Sequence, residues 1–291
     1  NRMKLLQRCI TKIQEQTRSA DDILIINNSS TDGTQKFLST NNFNHINQKN
    51  SGSAGGWFTA INYAISNNFD LIWLMDDDGY PDINSLNLLS NHFNKKYSCV
   101  SSIVVDTDSK SELVFPMPVL NNKSLPKIIS FKRKIYNSND LNKYCNDKKE
   151  YFFCHLFNGA LISLKHIKKI GNINTKYFMY GDEVDYYFRL RSVGKVVSLV
   201  NSYHYHPNVQ NRSLSNIKLY YYIKNSIILN YKYFDYSFIR SSLNIIIGIF
   251  RYVSRNGMKS LLVLLTPKNL RNIIVSIYRG FKLKIDADYE K

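Results

Sequence analysis

The sequence predicts an α/β protein in which a doubly wound sheet is followed by a helical C-terminal appendage. Short apolar runs alternate with segments of helical periodicity over residues 1–212, which is typical of a sheet covered by helices. From Ser213 onward the periodicity is helical only. We therefore predict a first domain over 1–212, with a variable polar insert at 106–150, and a basic amphipathic helical region over 213–291.

The first half of the chain supplies most of the expected sheet. Leu5, Cys9 and Ile13 belong to an apolar series at helical spacing, so a helix is expected over 2–17. Thr31 stands where a helix cap is expected, before a helix that ends near Ser39. The other elements expected here are strands at 22–26, 45–48, 70–75 and 99–105, and helices at 51–65 and 83–95.

The second half continues the alternation and then becomes helical. Strands are expected at 157–163 and 196–199, with a helix at 182–193 between them. The appendage is expected to contain helices at 214–233, 236–255, 258–265 and 268–283. Because the chain enters its first helix at once from Asn1, the first strand of the sheet is expected to be missing from this sequence.

The composition is that of a globular protein with reduced cysteines. The chain has 291 residues, a mass of 33.9 kDa and 44% apolar residues, enough for a sizeable core. Its four cysteines have no C-x-x-C spacing, so neither a zinc site nor a disulfide framework is indicated, and a cytoplasmic setting is the simplest interpretation. The sequence contains no secretory signal and no run of 18 apolar residues.

The formal charge of +17 is concentrated near the C-terminus. Residues 207–291 contain 14 basic and 4 acidic side chains, whereas the other residues contain 25 and 18. Nucleic acid is one possible partner for such a charge, but no nucleic-acid motif is present. In the tail, apolar residues alternate with Arg251, Arg255, Lys259 and Lys268, which favours a helix at an anionic membrane surface. Packing of this face against the first domain is the alternative.

Three consecutive carboxylates, Asp76, Asp77 and Asp78, follow the strand expected at 70–75. Like charges at a strand end repel one another and lose hydration, and a divalent cation such as Mg²⁺ or Mn²⁺ would remove that cost. Alternate residues of an extended segment point the same way, so Asp76 and Asp78 are expected to face one site while Asp77 faces elsewhere. The alternative is an acidic turn in solvent.

Polar and glycine-rich segments follow two other strands of the expected sheet. Asn27 and Asn28 follow one strand, and a loop with Asn50, Gly52, Gly55 and Gly56 follows the next. Ligands of doubly wound sheets bind at the carboxyl ends of the strands, so these segments and the carboxylates are expected at one site. An asparagine turn and a simple glycine turn are the alternatives.

Four sequence blocks together carry a resemblance to a known family. They are 27–34 (NNSSTDGT), 50–56 (NSGSAGG), 73–81 (WLMDDDGYP) and 178–186 (FMYGDEVDY), with His206 downstream. In order and spacing the chain resembles the inverting family 2 glycosyltransferases of the GT-A fold. Within that family it is similar to galactofuranosyl- and rhamnosyltransferases that build bacterial polysaccharides such as O-antigens and capsules.

The resemblance implies roles for the donor-side residues. Asp76 and Asp78 match the D-x-D motif that holds Mn²⁺ or Mg²⁺ against the donor diphosphate, and His206 matches a histidine that completes the metal shell. The donor-binding residues implied are Asn27, Asn28, Asn50, Gly52, Gly55, Gly56, Asp76 and Asp77. His204 is the less favoured histidine, and an ordinary surface histidine is the alternative for either.

The resemblance also implies the acceptor-side residues. Glu183 occupies the position of the general base, and Asp182 the neighbouring acceptor-binding position, although the assignment between the two stays open. Asp185 and Asn158 are the other implied acceptor contacts, and Asp185 can instead cap its helix. Carboxylates at a helix start are also favourable partners of the helix dipole.

The sequence thus predicts a metal-dependent inverting glycosyltransferase. UDP-galactofuranose is the favoured donor and dTDP-rhamnose the alternative. A lipid-linked glycan acceptor and a peripheral position on the inner face of the bacterial cell membrane are implied by the resemblance. Two alternatives come from other classes: a nucleotidyltransferase, which would also want clustered carboxylates, and a non-catalytic binder of anionic polymers, which would explain the charge without chemistry.

Overall fold

The computed structural model describes residues 1–128, 131–208 and 213–289. Its strands are Ile25–Asn28 (β1), His45–Gln48 (β2), Leu71–Met75 (β3), Tyr80–Pro81 (β4), Tyr97–Asp106 (β5), Glu112–Pro118 (β6), Lys134–Asn137 (β7), Glu150–Tyr151 (β8), Asn158–Ser163 (β9) and Lys195–His206 (β10). Its helices are Met3–Gln14 (α1), Thr34–Thr40 (α2), Gly52–Ser66 (α3), Ser85–His92 (α4), Ser138–Asn142 (α5), Leu164–Ile170 (α6), Asp182–Arg191 (α7), Asn216–Tyr233 (α8), Ser237–Asn256 (α9), Ser260–Leu264 (α10) and Pro267–Phe281 (α11).

The strands form a parallel pair and a larger mixed sheet. β1 pairs in parallel with β2, with Ile25 opposite His45. The larger sheet has the order β3-β9-β5-β10-β4, in which β10 and β5 are parallel and β9 runs antiparallel to both its neighbours. The α/β class with a helical C-terminal part is confirmed, and the antiparallel β9 makes the larger sheet mixed.

The expected elements near the N-terminus are present, with two corrections. β1 extends to Asn28, so Asn27 and Asn28 are strand residues and not the start of a loop. α2 begins at Thr34, whose backbone N–H and hydroxyl donate to Oδ1 of Asp32. The cap expected at Thr31 was therefore wrong, because a carboxylate one residue further along accepts these hydrogen bonds.

The polar segment 106–150, which we expected to be a variable insert, contains regular secondary structure. It contributes β6, β7, α5 and β8, and β6 pairs with both β5 and β7. Buried Leu113, Met117, Ile135 and Leu141 pack with Ile103 of β5 in one apolar cluster. These apolar residues are separated by Lys and Asn, so the average composition of the segment hid its core.

β10 has 12 residues and is much longer than the strand expected at 196–199. Both its first and its last part pair in parallel with β5, and the last part also pairs antiparallel with β4, with His204 opposite Pro81. His204 and His206 are therefore strand residues and do not follow the strand. The largely polar residues after Val200 gave no clear strand pattern, so the sequence did not predict this extension.

The chain divides into two compact units. The first contains Asn1–Ser51, Gly55–Asn172 and Arg189–Asn208, and the second contains Gly52–Ala54, Ile173–Phe188 and Val209–Lys291. The boundary that we predicted after residue 212 falls in 209–212, which lies outside the described residues, and it stays a prediction.

The second unit is built around α8, which packs against α9 and α11. Leu219, Ile223 and Ile227 of α8 form its buried core, with Tyr252 of α9 and Leu264 of α10. The four helices expected after residue 213 are thus confirmed. In the described parts of the chain, no helix combines the length and the apolar character needed to cross a bilayer.

Candidate functional site

The three carboxylates lie in a tight turn between β3 and β4 of the first unit. Because the segment is a turn and not extended, the alternation that we expected from strand geometry does not apply. Asp78 is the buried member, with 2% of its surface exposed. Oδ1 of Asp77 and Oδ2 of Asp78 each lie 2.8 Å from Nη1 of Arg2.

Asp78 and His206 are in contact although they are far apart in the sequence. Nε2 of His206 lies 3.0 Å from Oδ1 of Asp78, and both side chains are almost completely buried. The pairing of β4 with β10 produces this contact, because it places Tyr80 opposite Tyr205. Sequence spacing alone could not have indicated this proximity.

The other ring nitrogen of His206 fixes the state of the imidazole. Nδ1 lies 2.7 Å from the carbonyl oxygen of Pro207, and a carbonyl can only accept, so Nδ1 carries a proton. In the neutral ring Nε2 would then present a lone pair to the Asp78 carboxylate. A proton or another cation is therefore required between Nε2 and Oδ1 of Asp78.

Asp76, the first acid of the turn, is in an environment that disfavours its charged form. Burial raises the pKa of Asp76 to about 7, and the negative charges of Asp78 and Asp77 act in the same direction. Among the described residues, the Asp76 carboxylate has no hydrogen-bond partner. A cation near this carboxylate would favour its charged form.

The donor atoms of this turn fit a hard divalent cation. Carboxylate oxygens suit Mg²⁺ and Mn²⁺, and an imidazole nitrogen oriented by a carbonyl suits Mn²⁺. In the described ranges, however, no three His, Cys, Asp or Glu side chains are arranged as a metal-binding group. Arg2 is the cation that the structure places on Asp77 and Asp78, and sequence reasoning missed it.

His204 is buried behind this turn without a hydrogen bond. Within the described residues neither ring nitrogen has a partner, and burial lowers the pKa of His204 to about 3. A side chain at Gly79 would place its Cβ 2.2 Å from Nε2 of His204. The ring therefore packs directly on the backbone of the carboxylate turn, where only glycine fits.

The asparagines at the end of β1 are bonded within the protein. Nδ2 of Asn27 donates to Oδ1 of Asn47 at 2.7 Å, and its Oδ1 accepts from the N–H of Ser30. Oδ1 of Asn28 accepts from the N–H of Ser51, and its Nδ2 donates to Oδ1 of Asn50 at 3.4 Å. These hydrogen bonds stabilise the segment that follows β1 and the loop that precedes α3.

The glycines of that loop differ in how tightly they are constrained. Gly52 has a positive φ of 74°, and a Cβ there would lie 2.9 Å from the carbonyl oxygen of Phe178. A Cβ at Gly55 would meet the hydroxyl of Ser51, whereas one at Gly56 would have its nearest neighbour, Ile26, at 4.0 Å. Gly52, because of its positive φ, and Gly55, because a Cβ there would lie 2.5 Å from Cβ of Ser51, are thus the glycines that the local structure requires.

Asn158 begins β9 opposite Met75, the last residue of β3. Its side chain is buried, and Oδ1 has no hydrogen-bond partner among the described residues. An unsatisfied buried amide oxygen is costly, which makes it a candidate contact for a bound ligand.

The acidic segment of the second unit forms the first turn of α7. Asp182 is buried, and its Oδ2 accepts a hydrogen bond of 3.2 Å from the hydroxyl of Ser53. Burial raises the pKa of Asp182, and hydrogen bonds from the Gly181 amide and Ser53 partly offset that rise. Glu183 is only half-buried. The sequence analysis did not identify Ser53.

Asp185 binds within the second unit. Its Oδ1 accepts hydrogen bonds from Nζ of Lys232 and from the hydroxyl of Tyr233, each at 2.7 Å. Only 1% of Asp185 is exposed, so its carboxylate links α7 to the end of α8. Its expected contact with an acceptor stays a prediction.

A family model described as "Glycosyl transferase family 2" matches residues 1–157. The chain is 26% identical over 194 residues to galactofuranosyltransferase GlfT1 of Mycolicibacterium smegmatis, covering 65% of this chain and 62% of that protein. It is 28% identical over 145 residues to galactofuranosyltransferase GlfT1 of Mycobacterium tuberculosis, covering 49% and 44%. The matched part of the chain therefore spans between 44% and 62% of the length of these relatives.

Two solved structures show the same fold at low sequence identity. GalNAc-T7 with UDP, GalNAc and Mn²⁺ aligns with a TM-score of 0.56 and 11% identity, covering 80% of this chain and 46% of that one. The mannosyltransferase PcManGT from Pyrobaculum calidifontis, in complex with GDP-Man and Mn²⁺, aligns with a TM-score of 0.54 and 12% identity, covering 97% and 84%. The expected GT-A fold is thus confirmed.

Proposed function

Because this chain belongs to glycosyl transferase family 2, we propose that it transfers a sugar from a nucleoside diphosphate donor to an acceptor hydroxyl, with inversion at the anomeric carbon. The observation that carries the proposal is the buried contact between Asp78 and His206 in the carboxylate turn. The three adjacent acids carry more negative charge than Arg2 offsets, and burial disfavours the charged form of Asp76, so a further cation is favoured there. In glycosyl transfer, a cation at this position would stabilise the negative charge of the departing diphosphate.

Asp76, Asp78 and His206 would hold the divalent cation, Mn²⁺ or Mg²⁺. When bound, it would offset the negative charge that develops on the departing diphosphate. Arg2 already contacts both Asp77 and Asp78, so its guanidinium is placed to share that role or to leave when the cation binds. Mn²⁺ in the solved structures of similar fold supports this assignment.

Glu183 is the proposed general base. Its carboxylate would take the proton of the acceptor hydroxyl as the acceptor oxygen bonds to the anomeric carbon. The bond from that carbon to the donor phosphate breaks, and the nucleoside diphosphate leaves with the electron pair. Asp182 is the less favoured candidate, because it is buried and held by hydrogen bonds from Ser53 and the Gly181 amide, whereas Glu183 is partly exposed. Its proposed part is to bind the acceptor.

Galactofuranose from UDP-galactofuranose is the proposed sugar, and rhamnose from dTDP-rhamnose is the alternative. The identity to two galactofuranosyltransferases supports the first. Asn27, Asn28 and Asn50 would shape the donor site through the hydrogen bonds described above, and the unpartnered Oδ1 of Asn158 is available to a ligand.

A lipid-linked glycan at an anionic membrane surface is the proposed acceptor setting. Large apolar side chains are exposed along α9, α10 and α11, including Ile246, Phe250, Leu262 and Ile274. From residue 236 to 285 the sequence has nine basic residues and no acidic one. Exposed apolar groups flanked by positive charge suit the interface of an anionic bilayer.

The proposed function is tested by measuring nucleoside diphosphate release with Mn²⁺ and a panel of UDP-galactofuranose, UDP-galactopyranose and dTDP-rhamnose. UDP release from the furanose donor only, abolished in Asp78→Ala, supports the proposal. Release from dTDP-rhamnose keeps the reaction and changes the donor. Release of the sugar 1-phosphate, the leaving group when the nucleoside-bound phosphorus is attacked, would indicate a nucleotidyltransferase. No turnover and no metal-dependent nucleotide binding, with retained binding of anionic polymers, would overturn the catalytic proposal.

A further inference from the structure

One face of α9 carries a glycine and two arginines at helical spacing. Gly248, Arg251 and Arg255 are three and four residues apart and thus share a face. A Cβ at Gly248 would lie 2.9 Å from Cδ1 of Tyr222, so this glycine lets α9 approach α8 closely. The approach brings the arginine-bearing turns of α9 next to the aromatic side chains of α8.

Arg251, Tyr222 and Tyr180 form a row in the second unit. Cζ of Arg251 lies 5.6 Å from the centroid of the Tyr222 ring. The ring of Tyr222 meets that of Tyr180 edge to face, with centroids 6.4 Å apart. Burial raises the pKa of Tyr180, and the positive charges of Arg255 and Arg251 oppose that rise.

Tyr180 is an unusual residue in this row. It has a positive φ of 56°, a backbone conformation that is uncommon for an aromatic residue, and 44% of its surface is exposed. It stands three residues before Glu183 in the chain. Strained residues of this kind cluster at binding and catalytic sites.

Neither Arg251 nor Arg255 has a carboxylate partner in the part of the chain that the structure describes. Other arginines of the same unit do: Arg240 pairs with Asp235, and Arg279 pairs with Asp286 and Asp288. Arg251 is half-buried, and Arg255 is exposed. Two neighbouring guanidinium groups without a counter-ion attract an anion, and their planar forks suit the oxygens of a phosphate group.

We propose that Arg251 and Arg255, together with the ring of Tyr180, bind a phosphate-linked glycan, the arginines contacting the phosphate and Tyr180 the sugar next to it. This inference rests on the proposed function, because it takes the bound molecule to be the glycosyl acceptor. An aromatic ring offers an apolar face to the C–H groups of a sugar, and guanidinium groups carry the charge recognition. The acceptor class is therefore a glycan esterified to phosphate or diphosphate.

The test measures binding of farnesyl diphosphate, a soluble phosphate-bearing lipid, by calorimetry below its micelle concentration. Saturating UDP and Mn²⁺ are present, so that the donor site is occupied. Titration of UDP alone comes first and reports on the proposed function separately. Wild type, Arg251→Gln, Arg255→Gln and Tyr180→Asn are compared, because asparagine tolerates the left-handed backbone. Arg18→Gln, which removes an exposed arginine from the first unit, is the matched control.

We expect the dissociation constant of farnesyl diphosphate to rise about tenfold in each arginine variant and to stay unchanged in Arg18→Gln. Tyr180→Asn should leave this affinity nearly unchanged but should raise the KM of a phosphate-linked glycan acceptor without changing the KM of the donor. Equal binding of farnesol would overturn the inference, because it would show apolar contact only. Arginine-dependent binding of short-chain phosphatidylglycerol with equal affinity would also overturn it, since the pair would then recognise membrane headgroups. Wild-type affinity in both arginine variants, with UDP binding intact, would overturn the inference and leave the proposed function standing.

Discussion

The hydroxyl of Ser53 donates a hydrogen bond to Oδ2 of Asp182, whereas Glu183, the next residue, is half-buried at the start of α7. The two adjacent acids thus have different environments within the same helical turn. The Ser53 hydroxyl and the Gly181 amide hold the buried Asp182 carboxylate in place, which suits a binding role, whereas the partly exposed Glu183 is accessible to an acceptor hydroxyl. This difference decides which acid we expect to act as the base.

Glu183→Gln should lower kcat by a factor of roughly 100 to 10,000 while leaving the binding of UDP unchanged, because an amide cannot accept the proton. Asp182→Asn keeps the shape of its side chain and should mainly raise the KM of the acceptor. Steady-state kinetics with UDP titrations check both variants. A larger loss of kcat in Asp182→Asn than in Glu183→Gln would reverse the assignment.

Removing Asp78 should weaken Mn²⁺ binding at least about tenfold, because a ligand is lost and His206 loses its partner. Calorimetry of Mn²⁺ in the presence of UDP measures this change. Asp108→Ala is the matched control, since Asp108 is an exposed acid of the first unit. Unchanged Mn²⁺ affinity in Asp78→Ala would refute the proposed metal site.

Ile246 and Phe250 lie one helical turn apart on the exposed side of α9, and each is more than half exposed. The double variant Ile246→Asp, Phe250→Asp should reduce binding to phosphatidylglycerol vesicles about tenfold or more, because it places charge in the apolar face. Sedimentation with vesicles measures this binding. Ile83→Asp, at an exposed apolar residue of the first unit, should bind like wild type. If the double variant bound vesicles as tightly as wild type, the membrane proposal would fail. A change in its oligomeric state would then indicate that a second copy of the chain covers this face.

Lys224 is fully buried and pairs with Asp286 and Asp288, which ties the C-terminal segment to α8. Lys224→Met should lower the free energy of unfolding by about 2 to 3 kcal/mol, because the buried acid loses its main partner. Urea denaturation followed by circular dichroism measures the loss. The exposed pair of Lys132 with Asp140 gives the control, and Lys132→Met should change little. Similar losses in the two variants would contradict the expectation.

His155 should make stability dependent on pH. Burial lowers the pKa of His155 to about 4, from an ordinary value of about 6.5. Since the unfolded chain then binds the proton more tightly, this contribution is complete above about pH 6.5 and is lost as the pH falls toward 4. The loss is at most about 3 kcal/mol. His155→Phe, which keeps an aromatic ring beside Phe115, should remove that part of the pH dependence. Parallel stability curves for the two proteins between pH 4 and 7 would refute it.

The order of the elements could be predicted from the sequence, because helical and strand periodicities are local. The extension of β10 could not be predicted, since residues 201–206 include Asn, Ser and two His and become a strand by pairing with β5 and β4. The core of 106–150 was hidden in the same way by the lysines and asparagines between its apolar residues. The local periodicity of the sequence therefore identified the helices and strands, whereas pairing between distant strands determined how long the strands are.

The candidate site shows the same division. The acids, asparagines and glycines could be found from their positions after strands. The contact of Arg2 with the carboxylate turn and that of Ser53 with Asp182 depend on tertiary packing, and no residue next to them in the sequence signals either. Residues that orient a functional group are ordinary in type, so sequence patterns rarely distinguish them.

The pairing of β4 with β10 has a consequence for synthesis on the ribosome. A nascent chain that ends before His206 can form the carboxylate turn, but it lacks the imidazole that contacts Asp78. Until His206 has been synthesised, the acidic turn has Arg2 as its counter-ion. A probe of the contact between Asp78 and His206 would consequently report when the last strand docks, and so when the first unit has finished folding.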